Sequence, residues 1–358
     1  MITFTGDLYL GDSNVDFSDL VLSKTGDSEY IISNFENVLK NDTGERRVDK
    51  SSNLQFTKQS FESYLNISKT KLIFTLGNNH LHDLGVEGVS KTIDFLKSYK
   101  NITYTGIGYY EEVIKPLIIE EKNKKIALLC ISTNEPEVMS VLATNDERGV
   151  LDYNDHIIIH IIEQYRKLVD YIVLLPHWGK EFVDYPSIQQ RQKAYKWIDA
   201  GADLIIGHHP HVIQGKENYK GKWIYYSLGN YIFPDFFDKN GIQHKWNKES
   251  NKSIMLLINF AEVLTISEVG LFFDTNTNTL SSSNISISDF YRKSEVLNID
   301  RVPLKKYFGL WQKEQYRILK HEYSFVRNLL LFFPKHKNHS HLGYFFHRLK
   351  TKLINKWI

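Results

Sequence analysis

The chain has one cysteine in 358 residues, Cys130. No internal disulfide can form from it, and a chain of this length buries enough surface to need none. That fits a reducing compartment. Cys130 sits inside the apolar run Ile126 to Ile131, the setting of a buried strand thiol rather than a reactive one. No apolar run reaches the length of a membrane span. No signal peptide is visible, since Met1 leads straight into a strand-like run and then Gly6-Asp7. The expectation is a chain that is not translocated: cytoplasmic, and at most peripheral to the inner face of the membrane. Internal repeats, low-complexity tracts and recognised nucleic-acid modules are also missing, which makes nucleic acid a poor candidate partner.

Net charge is scarce too, with 44 basic against 42 acidic residues and a balance of +2. The balance hides an asymmetry. From Arg301 onward the only acids are Glu314 and Glu322, so the rest of the chain is net acidic. A basic, aromatic tail through Arg348, Lys350, Lys352, Lys356 and Trp357 suits an anionic membrane surface or polyanion, or else a helical appendage with a solvated basic face. At 42% hydrophobic and 24% charged, the composition is that of an ordinary globular protein.

Short apolar, β-branched runs at Ile2 to Thr5, Lys71 to Leu76, Lys125 to Ser132, Tyr171 to Leu175 and Leu204 to Ile206 read as buried strands. Helical patterns at Val86 to Tyr99, Asp155 to Leu168 and Ile188 to Ala200 alternate with them, and Gly201 is a plausible stop. This alternation predicts an α/β sheet. Past Trp223 the pattern changes. Trp223 to Leu228, Ser253 to Phe260, Leu264 to Val269 and Leu280 to Ile287 read as strands without helices, an antiparallel section completing a second sheet. Asp235 to Asn251 reads as a mobile polar and aromatic loop, and Asp274 to Thr279 as a turn. Leu319, Tyr323, Val326, Leu330 and Phe333 recur at helical spacing, and Pro334 ends the stripe.

Ligands of open α/β sheets bind beyond the carboxyl ends of the strands, and the chain concentrates polar residues there. The strands deliver in turn Gly6-Asp7, Asn34 and Glu36, Gly77-Asn78-Asn79-His80, His177-Trp178-Gly179, and Gly207-His208-His209-Pro210-His211. Singly, each has a bland reading: Gly-Asp after a strand is commonly a turn, and a lone histidine is usually hydrogen-bonded structure. Jointly, carboxylates, amides and imidazoles at one edge point to one or two divalent metals, with manganese, iron or zinc suiting such donors better than calcium. Trp178 and Tyr185 are equally suited to stacking on a sugar or to packing the rim. Ser227 to Asn230 ends a strand near this edge and reads as loop-shaping. Arg46 and Arg47 read either as an anion clamp or as a solvated turn.

The strings Gly6-Asp7, Asn34-Phe35-Glu36, Asn78-Asn79-His80-Leu81-His82-Asp83-Leu84-Gly85, His177-Trp178-Gly179-Lys180-Glu181, Gly207 to Val212 and Ser227 to Asn230 resemble the motifs of the CapA family of bacterial capsule and poly-γ-glutamate synthesis proteins. The match keeps its order from Met1 to about Phe233. That family is similar to calcineurin-like metallophosphoesterases. The resemblance implies a four-layer α/β/β/α sandwich, placed over residues 1–295; the helical spacing and basic, aromatic composition noted above make 296–358 an extension. It further implies metal ligation by Asp7, Glu36, Asn79, His177, His209 and His211, and protonation of a leaving group by His80, with Asp83 orienting it. Glu181 would support His177, and Asn78 or His208 would replace a neighbour as ligand. Asn78, His208 and Glu181, with Arg46 from the polar loop, are the candidate substrate contacts. Tyr9 stands where the phosphoesterases usually have histidine, and Asn34 to Glu36 stand where they have a second aspartate. The implied function is metal-dependent hydrolysis of a phosphoester or amide bond during synthesis of capsule, exopolysaccharide or poly-γ-glutamate. The alternative is a non-catalytic accessory that binds polymer or a synthesis complex. Implied partners are an anionic surface polymer or its precursor, and capsule synthesis proteins at the membrane surface.

Overall fold

In the computed structural model, residues 1–40, 52–65, 70–238, 241–298, 306–314 and 316–317 are described. Arg46, Arg47, the Leu319 to Phe333 stripe and the basic tail lie outside them. The chain divides after Glu314, and Met1–Glu314 is the first, compact unit.

Two large sheets carry the first unit. In the first, strands Ile2–Leu8, Tyr30–Phe35, Lys71–Thr75 and Ile102–Thr105 run parallel. In the second, Lys124–Ile131, Tyr171–Pro176, Leu204–Ile206 and Lys222–Tyr225 run parallel, with antiparallel strands Leu117–Glu121 and Lys216–Tyr219 at the edges.

Strand side chains alternate between faces, and here both faces are apolar. In Lys124–Ile131, Ile126, Leu128 and Cys130 enter one cluster while Ala127, Leu129 and Ile131 enter another. The first of these clusters also takes Ile2, Phe4, Ile32 and Ile73 from the other sheet, so it fills the space between the sheets. Leu72, Phe74 and Phe35 face the opposite way, with Val89, Ile93 and Leu96 of helix Gly85–Lys97. Ile172 and Leu174 meet Ile158 and Ile162 of helix Asp155–Tyr165 and Trp197 of helix Ile188–Ala200. Three apolar interfaces separate four layers: helix, sheet, sheet, helix. Cys130 is buried between the sheets, and burial pushes its thiol up to about 12. Among the described residues, no helix is long and apolar enough to cross a membrane.

The later strands depart from the sequence expectation. Lys252–Asn259, Thr265–Asp274 and Thr279–Ser282 do not build a second sheet; they extend the first, with Lys252–Asn259 antiparallel to Ile2–Leu8 and each later strand antiparallel to the one before. Ile254, Leu256 and Ile258 are buried between the sheets with Met255 on the far side, which only a central strand satisfies. The run Leu280 to Ile287 is not one strand. It stops at Ser282, and the Ser283 side chain accepts from the Ser286 N–H to start helix Asn284–Leu297. The stretch expected as a mobile loop contains a hairpin, Phe236–Phe237 with Gln243–His244, and Trp246 packs beside it. Gly201 does end its helix, at φ 121°.

Gly6 marks where the sheets' site-bearing ends are tied together. A Cβ there would sit 1.8 Å from the Gly229 carbonyl oxygen, which accepts the Asp7 N–H at 2.9 Å. Gly6→Ala is therefore expected to cost at least about 2 kcal/mol and to lower the thermal midpoint. Gly26→Ala, with open space around its added methyl, should leave that midpoint nearly unmoved. Calorimetry of both variants checks the contrast.

Candidate metal centre

Asp7 reaches the site because the pairing register of its strand slips between Phe4 and Asp7, setting Asp7 opposite Asn34. Asp7 and Glu36 are both fully buried. Asn34 lies between them: its Nδ2 donates to Asp7 Oδ1 at 2.8 Å and to Glu36 Oε1 at 2.9 Å, and lies 3.2 Å from His177 Nδ1. Asn78 braces Asn34, with its Nδ2 donating to the Phe35 carbonyl at 3.0 Å and to Asn34 Oδ1 at 3.3 Å.

The second sheet brings the imidazoles. His177 follows strand Tyr171–Pro176 and bridges to His208, which follows Leu204–Ile206. His177 Nε2 lies 3.1 Å from Asn79 Oδ1, and its ring centroid is 4.7 Å from that of His209. His209 and His211 both take left-handed backbone conformations, at φ 98° and 54°. Such backbone costs about 1–3 kcal/mol per residue and gathers at functional sites. It is held in part by the Phe182 N–H, which donates to the Pro210 carbonyl between them at 2.8 Å.

Two groups of donor atoms result. Asp7, Glu36 and His177 have ligand atoms within 4.8 Å of one another, as do Glu181, His209 and His211. His211 links the two, with Nδ1 3.5 Å from Asp7 and Nε2 3.8 Å from Glu36. His80 lies at the margin, its Nε2 3.9 Å from Glu36 Oε2 and its Nδ1 2.7 Å from Asp83 Oδ2. Asp83 is itself fixed by the Leu54 N–H at 2.8 Å. Burial, and then the nearby imidazoles, push His177 well below its ordinary value, so it is neutral and offers a lone pair. Buried carboxylates gathered with amides and imidazoles fit a divalent cation, which would offset their charge.

Several expectations are redrawn. Glu181, expected beside His177, gathers instead with His209 and His211. His208 is turned to the first strand, its Nε2 3.2 Å from the Thr5 carbonyl oxygen, so it ties the sheets together. Trp178 neither stacks on a ligand nor packs the rim. It is fully buried, stacked against Trp197 and Tyr226, and donates its indole N–H to the Tyr226 carbonyl. Arg46 lies outside the described residues.

Sequence reasoning missed two residues of this site. Asn34 was noted at a strand end, but not that it spans both carboxylates. Asn230, expected only to shape a loop, places Oδ1 2.9 Å from His211 Nδ1. An acceptor there keeps the proton on Nδ1 and leaves the Nε2 lone pair facing Glu36. The signal was present in Ser227 to Asn230, a string that ends in an amide.

Residues 2–235 match the family described as bacterial capsule synthesis protein PGA_cap. The chain belongs to this family. It is 34% identical over 207 residues to the PGA biosynthesis protein CapA of Bacillus subtilis (strain 168), an overlap of 58% of this chain and 53% of that one. It is 30% identical over 212 residues to the capsule biosynthesis protein CapA of Bacillus anthracis, covering 58% and 51%. The chain thus spans about half the length of the curated relatives it matches. Among solved structures, Vps29 of Chaetomium thermophilum overlaps 79% of this chain and 93% of its own, at 11% identity and a TM-score of 0.31. At that score the likeness is partial, and the four-layer fold stands on the sheets and apolar interfaces described above.

Two measurements follow in this PGA_cap protein. Asn230→Ala should weaken manganese affinity about 10–100-fold, while Asn230→Asp, which keeps an acceptor at the same distance, should retain it; titration calorimetry reads both. His177 and His208 are held neutral by burial. Their folded values lie below the unfolded one of about 6.5, so the unfolded chain takes up protons first as pH falls. The metal-free protein should lose stability as pH drops through that value, and His208→Gln should flatten the loss. Denaturant melts between pH 8 and 5 check the sign.

Proposed function

We propose that the chain is a metal-dependent hydrolase of bacterial capsule or poly-γ-glutamate synthesis that cleaves a phosphoester bond in an anionic surface polymer or its precursor. The convergence of Asp7, Glu36 and His177 donors beside a carboxylate-paired His80 carries this reading. A polymer-binding accessory needs neither a buried donor set nor a paired imidazole.

Asp7, Glu36, Asn79, His177, His209 and His211 would hold one or two divalent ions, with manganese, iron or zinc matching the donors. A bound divalent ion supplies a Lewis acid and a nucleophile at neutral pH. The chain's own groups supply the rest. Asp83 accepts from His80 Nδ1–H, which fixes the ring and aims Nε2 at the site. His80 Nε2–H then donates to the leaving oxygen as the phosphorus–oxygen bond breaks, and water supplies the oxygen that replaces it. Burial of the donor set keeps bulk water away from these charges and strengthens their interactions. Partners of this reading are the polymer and the capsule synthesis proteins at the membrane surface.

Metal analysis of gently purified protein should find a divalent ion, and Asp7→Ala should lose it. His80→Ala should keep the metal and lower phosphodiesterase turnover about 10²–10⁴-fold. Purified protein free of metal, with both variants fully supporting polymer production in cells, would sink the proposal.

A further inference from the structure

A fourth apolar cluster lies apart from the three interlayer ones. Tyr9, Leu54, Phe233 and Phe236 form it, and Trp246 packs against it. It adjoins the candidate metal centre. The Trp246 ring centroid is 5.5 Å from that of His211, and Phe182 is 6.0 Å from Trp246 and 6.3 Å from His211. Both Phe182 and Trp246 keep exposed surface. The Trp246 indole N–H is already given to the Pro234 carbonyl at 3.1 Å, so the ring offers its face, not its donor. Phe182 holds its position with φ 61°, a strained value for a residue bearing a side chain. The Phe182 N–H is held by the Pro210 carbonyl at 2.8 Å, and the strained turn sets the ring as an apolar wall beside His211 and Trp246.

An independent observation concerns hydrogen-bonding capacity. Asn53 is only 8% exposed, yet among the described residues neither its Oδ1 nor its Nδ2 has a partner. Asn53 directly precedes Leu54, which sits in the aromatic cluster and donates its N–H to Asp83, the partner of His80. Asn230 Nδ2, on the amide that faces His211, is likewise buried and unpartnered. A buried amide left open is costly unless a ligand completes it.

We infer that Trp246, Phe182, Asn53 and Asn230 form a subsite for a sugar ring beside the metal centre, so that the hydrolase reading, on which this rests, narrows to a saccharide phosphoester. A pyranose has an apolar face that covers an aromatic ring, and hydroxyls that both donate and accept. Neutral amides match those hydroxyls, and aromatic faces match the ring. A γ-glutamyl chain, with a carboxylate on every residue, would instead call for open cationic groups.

The test compares esters that differ only in the alcohol. Manganese-loaded full-length protein is titrated with glucose 1-phosphate, galactose 1-phosphate, N-acetylglucosamine 1-phosphate and glycerol 1-phosphate. At least one sugar ester should bind about tenfold tighter than the glycerol ester. Trp246→Ala, Asn53→Ala and Phe182→Gly should each collapse that ratio toward one, while Trp246→Tyr keeps most of it. Phe182→Gly also relieves the strained backbone, so its loss of preference is not a folding defect. Equal binding of all four esters, or a ratio untouched by the variants, overturns the subsite. A sugar preference without hydrolysis of any ester upholds the subsite and sinks the hydrolase reading alone.

Discussion

Two carboxylates with no access to water organise this molecule. Asp7 and Glu36 hang from neighbouring strands of one sheet, and the amide of Asn34 stands between them. Buried charge of one sign is unfavourable unless something compensates it. The fold answers by aiming the strand ends of the second sheet, with His177, His209 and His211, at the same point. His177, held neutral by burial, does not cancel that charge but keeps a donor atom for a cation that would. The left-handed backbone at both His209 and His211 is consistent with that demand, because a relaxed loop would point the rings elsewhere.

The rest of the architecture serves that convergence. Each sheet is apolar on both faces, so each must be covered twice, and the economical arrangement is sheet against sheet with helices outside. Packing the sheets together brings two sets of strand ends within reach of each other. Gly6 against Gly229, and Gly207 against Tyr226, are places where backbone approaches too closely for any side chain. His208 and Trp178 look like site residues by position but work as fasteners, one to the Thr5 carbonyl and the other within a stack of aromatic rings. Apart from this rigid frame, Tyr9, Leu54, Phe233 and Phe236 form a separate, smaller apolar cluster with Trp246 packed against it, and Phe182 lies beside Trp246.

Much of this was legible in the residues. The strands at Tyr171 and Leu204 and the helix at Ile188 fall where periodicity placed them, because buried parallel strands and amphipathic helices carry strong local signals. The later strands were harder. An apolar strand reads the same whichever sheet it joins, so Lys252–Asn259 gave no hint that it would pair with Ile2–Leu8. The run from Leu280 hid a helix start, because Ser283 caps only once the strand before it has stopped. Glu181 shows the same limit at the site. Its spacing from His177 suggested a pair, but the turn at Gly179 carries it to the loop of His209 and His211.

The sequence by itself determined the residue types available at each strand end, the alternation of strands and helices, and the family to which they belong. Those are local properties, written in spacing and composition. Only the tertiary structure decided which of those polar groups meet. Asn34 became a bridge, Asn230 a support for His211, and Trp246 a neighbour of His211, because contacts across 27, 19 and 35 residues of chain depend on how strands pair and sheets pack, and neither leaves a mark in local sequence.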